Sequence, residues 1–160
     1  GKIDIKNKRF LNNEIVADLI IKSSKLQGVE LDKEIAKLMI DEYPILSVAA
    51  SFAESPSIFR GLKELKIKES NRLELIYINL LKCGVSCEVK NDDLYIYPNK
   101  EYTIKDSNII TKFDHRIAMA FIVMGTRLNE NLKILESECI STSFPNFLKS
   151  FNSVGGQLIE

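Results

Sequence analysis

The sequence predicts a mixed α/β domain, and two observations carry that expectation. Short alternating or β-branched stretches are interleaved with stretches of helical spacing, in the order helix, hairpin, helix, strand, helix, strand, which argues for α/β layers rather than a bundle. The helical stretches that begin near Asp41 and His115 are so apolar that each should be buried. With 160 residues and 45% hydrophobic content, the chain is long enough for one domain, residues 1–160, with a real core.

Residues 2–8 (KIDIKNK) alternate Ile3 and Ile5 with polar neighbours, the pattern of a half-buried strand with its lysines on the solvent face. Residues 14–21 (EIVADLII) read as a strand, although so short an apolar run leaves the start of a helix open. Gly28 interrupts the pattern, and residues 31–39 supply a few apolar positions before Asp41. Asp41 is a candidate N-cap, Pro44 suits an early helical position, and residues 45–53 should form a buried helix. Ser47, Ala49, Ala50 and Ser51 would let neighbours pack close to it.

Residues 57–62 (SIFRGL) have the content of a short strand. Leu73, Ile76, Tyr77, Leu80 and Leu81 then recur at helical spacing, with Ser70 as the expected N-cap. Residues 85–90 and 94–97, joined by Asn91-Asp92-Asp93, predict a hairpin with Tyr95 and Tyr97 on one face. Residues 102–104 and 108–111 are shorter strand candidates, and residues 131–135 form another. Between them His115 and Arg116 open a helix with an apolar stripe of Ile117, Phe121, Met124 and Leu128. Ser143 or Thr142 should cap a last helix with a stripe of Phe144, Phe147, Leu148, Phe151 and Val154, ended by Gly155-Gly156. Residues 157–160 would return as a strand.

Twenty-two basic and 22 acidic residues cancel, which removes a global electrostatic case for nucleic acid or an anionic membrane surface, so any anion site must be local. The longest apolar run, residues 117–124, is far short of the ~20 residues needed to cross a bilayer. Cys83, Cys87 and Cys139 are odd in number and have no supporting His/Cys cluster, so neither a disulfide framework nor a metal site is expected. The spacing of Cys83 and Cys87 favours packing over redox chemistry, and a reducing cytoplasm fits best. The chain opens on Gly1 rather than Met, which leads us to expect a piece of a longer protein.

Chemistry concentrates at helix starts. Residues 66–72 (KIKESNR) set Lys68 and Arg72 around Glu69 where a strand pattern turns into a helix. Backbone N–H groups at a helix start favour anions, so the implied ligand is a phosphate or carboxylate. Glu69 is either a counter-ion or a proton-transfer group, and Asp41 taken alone is a structural cap. His115, the one histidine, taken alone is structural.

Four motifs stand in order: MIDEYPILSVAA, KESNR, DHRIAM and TSFP. Together they resemble one family, the enolpyruvyl transferases of the shikimate pathway known as EPSP synthases, over nearly the whole chain but only the C-terminal part of the family's enzyme. The resemblance implies repeated βαβαββ units with parallel helices inside and sheets outside, substrates in a cleft between two domains, and an N-terminal domain absent from this chain. It implies transfer of the enolpyruvyl group of phosphoenolpyruvate to the 5-hydroxyl of shikimate 3-phosphate, without a cofactor or metal, in a cytoplasmic enzyme that is monomeric when complete. Asp41 would accept the proton of the attacked hydroxyl, Glu69 would act as acid and base near the methylene carbon, and Lys68 would contact shikimate 3-phosphate. Arg72 and Arg116 would hold phosphoenolpyruvate, and His115 would orient Arg116 or a carboxylate. Asn71 replaces the aspartate usual in the second motif, and Thr142 stands where some members carry a lysine. Two alternatives remain beside this reading: a non-catalytic anion-binding or interaction module, and a fragment of the related transferase acting on UDP-N-acetylglucosamine.

Overall fold

Alternation along the first 22 residues builds an antiparallel hairpin of β1 (Lys2–Leu11) and β2 (Glu14–Lys22) in the computed structural model, which describes residues 1–159. The register sets Ile3 opposite Ile21, Ile5 opposite Leu19 and Phe10 opposite Ile15, so these six side chains share one face, while Lys2, Asp4, Lys6 and Lys22 lie on the other with Leu11, Val16 and Ile20 among them. The strand reading of residues 14–21 holds, whereas the half-buried reading of residues 2–8 does not. Every residue of β1 is exposed, with Ile5 at 66% and Phe10 at 77%, because nothing lies across the apolar face.

Residues 30–97 form one complete βαβαββ unit. Its elements are β3 (Glu30–Leu31), α2 (Tyr43–Ser51), β4 (Ser57–Phe59), α3 (Arg72–Lys82), β5 (Ser86–Lys90) and β6 (Asp93–Tyr97), with the short α1 (Lys33–Leu38) inserted after β3. The sheet order is β3-β4-β6-β5, with β3 parallel to β4 and both β4 and β5 antiparallel to β6. A second, parallel pair of β7 (Asn108–Ile109) and β8 (Lys133–Ile134) is joined through α4 (His115–Gly125), which begins the same pattern again.

The core lies between the sheet and these helices. α2 and α4 pack on each other, and Tyr43, Phe59, Leu62, Ile76, Leu80, Leu94, Ile96 and Phe121 are fully buried. Tyr43 meets Phe59 edge to face at 5.4 Å. Asn79 ties α3 to the segment after β7 by donating to the Ile110 carbonyl at 2.7 Å and accepting the Ile110 N–H at 3.0 Å, which satisfies a polar side chain that would otherwise be costly to bury. Burial pushes the thiols of Cys83 and Cys87 up to about 12, so both are inert packing groups.

Several expected boundaries shift for local reasons. Asn71, not Ser70, caps α3: its side chain accepts the Glu74 N–H at 3.2 Å and donates to the Glu74 carboxylate at 2.9 Å, a reciprocal pair at the helix start. Asp41 is not a cap either, since α2 begins after Glu42 and has no side-chain cap. Residues 102–104 are not a strand; there Tyr102 stacks edge-on against Phe52 at 5.2 Å and donates its hydroxyl to the Ser51 carbonyl. The expected last helix is broken at Pro145 into α5 (Ile140–Ser143) and α6 (Phe147–Ser153). Thr142 lies inside α5 and turns its hydroxyl back to the Cys139 carbonyl at 2.7 Å, and Ser143 is the last residue of α5. The aromatic stripe stacks on itself, and its Phe147 and Phe151 lean on a small cluster of Ala118, Ile122, Cys139 and Ile140, yet no residue of α6 is buried and Val154 is 83% exposed. Residues 157–159 are not a strand, and Glu160 lies outside the described residues.

Gly84 closes α3 at φ +80°, and a Cβ there would stand 2.3 Å from the Thr103 carbonyl oxygen. Gly84→Ala is therefore expected to destabilise the fold by about 1–3 kcal/mol, combining left-handed strain with a backbone clash. Urea unfolding measures this, and a loss under ~0.5 kcal/mol would show that the turn relaxes freely.

Candidate active site

Three helix starts meet at one place, and a buried ion pair joins two of them. Asp114 caps α4, its Oδ1 accepting the N–H groups of Arg116 at 3.0 Å and Ile117 at 3.4 Å. Its Oδ2 accepts from Arg72 Nε and from Ser70 Oγ, both at 2.8 Å. Asp114 and Arg72 are both fully buried, and each carboxylate oxygen of Asp114 has partners, as an ion pair removed from water requires. Burial pushes the Asp114 carboxyl up, but the hydrogen bonds from Arg72 and Ser70 pull it below its ordinary value.

From that base the Arg72 guanidinium reaches outward. Nη1 donates to Asp41 at 2.8 Å and Nη2 to Glu69 at 2.6 Å, so one arginine spans three carboxylates. Asp41 is also approached by Lys68 Nζ at 3.5 Å and by Arg116 Nη2 at 4.0 Å. Arg116 is aimed by the backbone, since its Nη1 donates to the Asp41 carbonyl at 2.9 Å and lies 3.4 Å from Glu42. Partial burial raises the Asp41 carboxyl, yet Arg116, Lys68 and Arg72 together hold it below the usual carboxylate range. The side chains of Lys68, Arg116, Asp41 and Glu69 remain 30 to 53% exposed, above the dry Arg72–Asp114 pair.

The structure thus brings Asp41, Lys68, Glu69, Arg72 and Arg116 together, all within reach of Asp41 or Arg72. Among the described residues it gives His115 no hydrogen bond of the orienting kind expected: the residue is half-buried, while Asp41 and Asp114 position Arg116 through backbone groups. Asp114 is the residue that the sequence reading passes over. Its signal was an acid immediately before an apolar run, the place of an N-cap. Chemically, the cluster offers an exposed carboxylate fixed between cations, a second carboxylate nearby, and three cations able to hold a phosphate or carboxylate.

Residues 8–151 match the family model for EPSP synthase (3-phosphoshikimate 1-carboxyvinyltransferase). The 3-phosphoshikimate 1-carboxyvinyltransferase of Paramagnetospirillum magneticum is 46% identical over 91% of this chain and 32% of its own length. That of Methylobacterium radiotolerans is 43% identical over 99% of this chain and 35% of its own length. An EPSP synthase structure from Acinetobacter baumannii superposes with a TM-score of 0.88 at 32% identity, covering 97% of this chain and 36% of that one. The enolpyruvyl transferase NikO from Streptomyces tendae, at 14% identity and a TM-score of 0.67, shares the fold. The chain spans about a third of the length of the curated relatives it matches.

Removing the Asp114 carboxylate would leave the Arg72 charge buried with one partner fewer, so Asp114→Ala should cost about 3–5 kcal/mol at pH 7. Because the folded-state carboxyl lies below its unfolded value of about 3.9, its contribution is complete above that pH and is lost as pH falls through the folded value. Urea unfolding at pH 7 and at pH 3 tests both statements. The native chain should lose stability between the two, the variant should lose less, and a cost under ~1 kcal/mol at pH 7 would remove Asp114 from this role.

Proposed function

Because the chain belongs to the EPSP synthase family, we propose that it supplies one half of an active site that transfers the enolpyruvyl group of phosphoenolpyruvate to the 5-hydroxyl of shikimate 3-phosphate, releasing phosphate. The observation that carries this reading is the convergence of two exposed carboxylates and three cations at the joined starts of α2, α3 and α4. Addition of a hydroxyl across the double bond of phosphoenolpyruvate needs a base for that hydroxyl and an acid for the methylene carbon. Asp41 takes the hydroxyl proton, and Glu69 gives a proton to the methylene carbon. The carbon–oxygen bond forms in a tetrahedral intermediate held by cations. Return of a methyl proton to the enzyme and departure of phosphate then restore the double bond.

Lys68, 3.5 Å from Asp41, suits the shikimate 3-phosphate side of the site. Arg116 is the readier of the two arginines for phosphoenolpyruvate, since its guanidinium is 35% exposed. Arg72 is fully covered, so for it to hold the substrate Asp41 or Glu69 must yield one edge of the guanidinium.

The other half of the site would come from the two thirds of the enzyme that this chain does not span. The bare hairpin supports that partner. Within the complete unit, the closing hairpin β5–β6 has α3 packed on it, whereas β1–β2 presents the same kind of alternating face uncovered. The absent part of the enzyme would lie across it. Three free cysteines suit a cytoplasmic setting, and no helix among the described residues is long and apolar enough to cross a membrane.

Residues 1–160 alone are expected to release no phosphate from phosphoenolpyruvate and shikimate 3-phosphate above background, while addition of the remaining part of a relative's enzyme should restore turnover. Turnover by the chain alone would overturn the half-site, and silence after a demonstrated complex forms would favour the non-catalytic anion-binding module. In the reconstituted enzyme Asp41→Asn should lower turnover by roughly 10²-fold or more, the usual contribution of a positioned base. A double substitution on the hairpin face, Ile5→Lys with Leu19→Asp, should weaken reconstitution while leaving the chain's own unfolding midpoint within about 2 °C, because both side chains are already exposed and the new charges face each other as an opposite pair. Unimpaired assembly would show that this face is not the docking surface.

A further inference from the structure

The cluster is already electrically full, and this deepens the proposed reading of the same site, on which it rests. Arg72, Arg116 and Lys68 face four carboxylates: Asp41, Glu42, Glu69 and Asp114. An incoming anion would find no idle cation among these. Asp41 is the member placed at the middle, since one carboxylate approaches all three cations, at 2.8 Å for Arg72, 3.5 Å for Lys68 and 4.0 Å for Arg116.

We propose that the Asp41 carboxylate is the resident occupant of the anion site, a side chain standing where a ligand carboxylate or phosphate will sit, so that anions bind by displacing it. Three features of the site agree with this. Asp41 is not spent on capping α2, which has no side-chain cap, so its carboxylate can turn away without loosening that helix. It is 42% exposed and therefore has solvent to turn into, unlike Asp114, which is locked by four hydrogen bonds at 0% exposure. Arg116 is held to the Asp41 backbone carbonyl at 2.9 Å, so it would stay aimed at the site when the side chain leaves.

The consequence is a coupling between the two halves of the chemistry. While Asp41 grips the cations it is a poor base, and its carboxyl is held low by them. An anion that takes over Arg72 and Arg116 releases the carboxylate toward a hydroxyl. Anion binding and base activation become one exchange, and apparent affinity in the free chain is lowered by the fraction of time that Asp41 fills the site.

The test is equilibrium binding of inorganic phosphate to the 160-residue chain at fixed ionic strength. If the site is open about a tenth of the time, Asp41→Asn should bind phosphate roughly tenfold tighter than the unsubstituted chain. Adding Arg116→Ala to Asp41→Asn should abolish the gain. Glu74→Gln is the control for net charge: it removes an acid at the start of α3 that is paired with Asn71 rather than with these cations, and should change affinity less than twofold. Should Asp41→Asn fail to fold, Asp41→Ser carries the same expectation. Affinity unchanged or weaker in the folded variant overturns the proposal, as does an equal gain from Glu74→Gln. Either result would leave the enzymatic reading to stand on reconstituted turnover, and failed turnover with the gain intact would refute that reading alone.

Discussion

The buried contact between Arg72 and Asp114 is the constraint on which the rest of the site depends. Taking a guanidinium and a carboxylate out of water carries a penalty of several kcal/mol per ion, and the pair survives only where every oxygen has a donor. Here the donors come from two helices and a loop: the Arg72 side chain from α3, two backbone N–H groups of α4, and Ser70. The pair therefore fixes how far α3 and α4 slide or rotate past one another. The more exposed groups at these helix starts, Glu69 on one side and Arg116 on the other, inherit that register. Net stabilisation is the smaller part of its effect, and uniqueness of arrangement is the larger.

Placement of charge at helix starts serves a second purpose. Each of the three starts leaves backbone donors unpaired within the helix, and each is answered differently. α3 uses Asn71 and Glu74 in a reciprocal cap, α4 uses Asp114, and α2 has no side-chain cap. The uncapped start is the one beside Asp41. Asp41 does no capping and keeps its carboxylate 42% exposed, whereas Asp114, which shares the Arg72 guanidinium with it, is fully buried and consumed by structure. Two acids of the same type, each just ahead of a helix, are thus separated into an exposed group and a buried one by what the neighbouring backbone requires.

Much of this was legible in the sequence. The apolar runs after Asp41 and His115 gave two inner helices, the alternation around Asn91 gave the β5–β6 hairpin, and the four ordered motifs gave both the family and the βαβαββ unit. The convergence of Lys68, Arg72 and Arg116 on Asp41, with Glu69 on Arg72, followed from placing each at a helix start. What escaped were pair relations. Ser70 and Asn71 are adjacent residues with equal capping ability, and only the position of Asp114, 44 residues after Ser70, decides that Ser70 turns to it while Asn71 caps. The burial of Arg72 was hidden for the same reason, since an arginine among lysines and glutamates reads as solvent-facing until a partner in the core is known. His115 runs in the opposite direction: its side chain suggests an orienting role, and among the described residues its ring makes no hydrogen bond.

The uncovered face of the first hairpin also bears on how such a chain behaves before it finds its place. Ile3, Ile5, Phe10, Ile15, Leu19 and Ile21 form a ribbon of β-branched and aromatic side chains, each more than half exposed, flanked by two open strand edges. Ribbons of this kind pair readily with copies of themselves, and charged residues on an edge are the ordinary defence. Lys2, Asp4, Lys6, Arg9, Asp18 and Lys22 supply that defence on the opposite side of the same ribbon. The hairpin therefore carries both an apolar face and a more charged back, an arrangement that disfavours pairing of the ribbon with copies of itself without removing the apolar face.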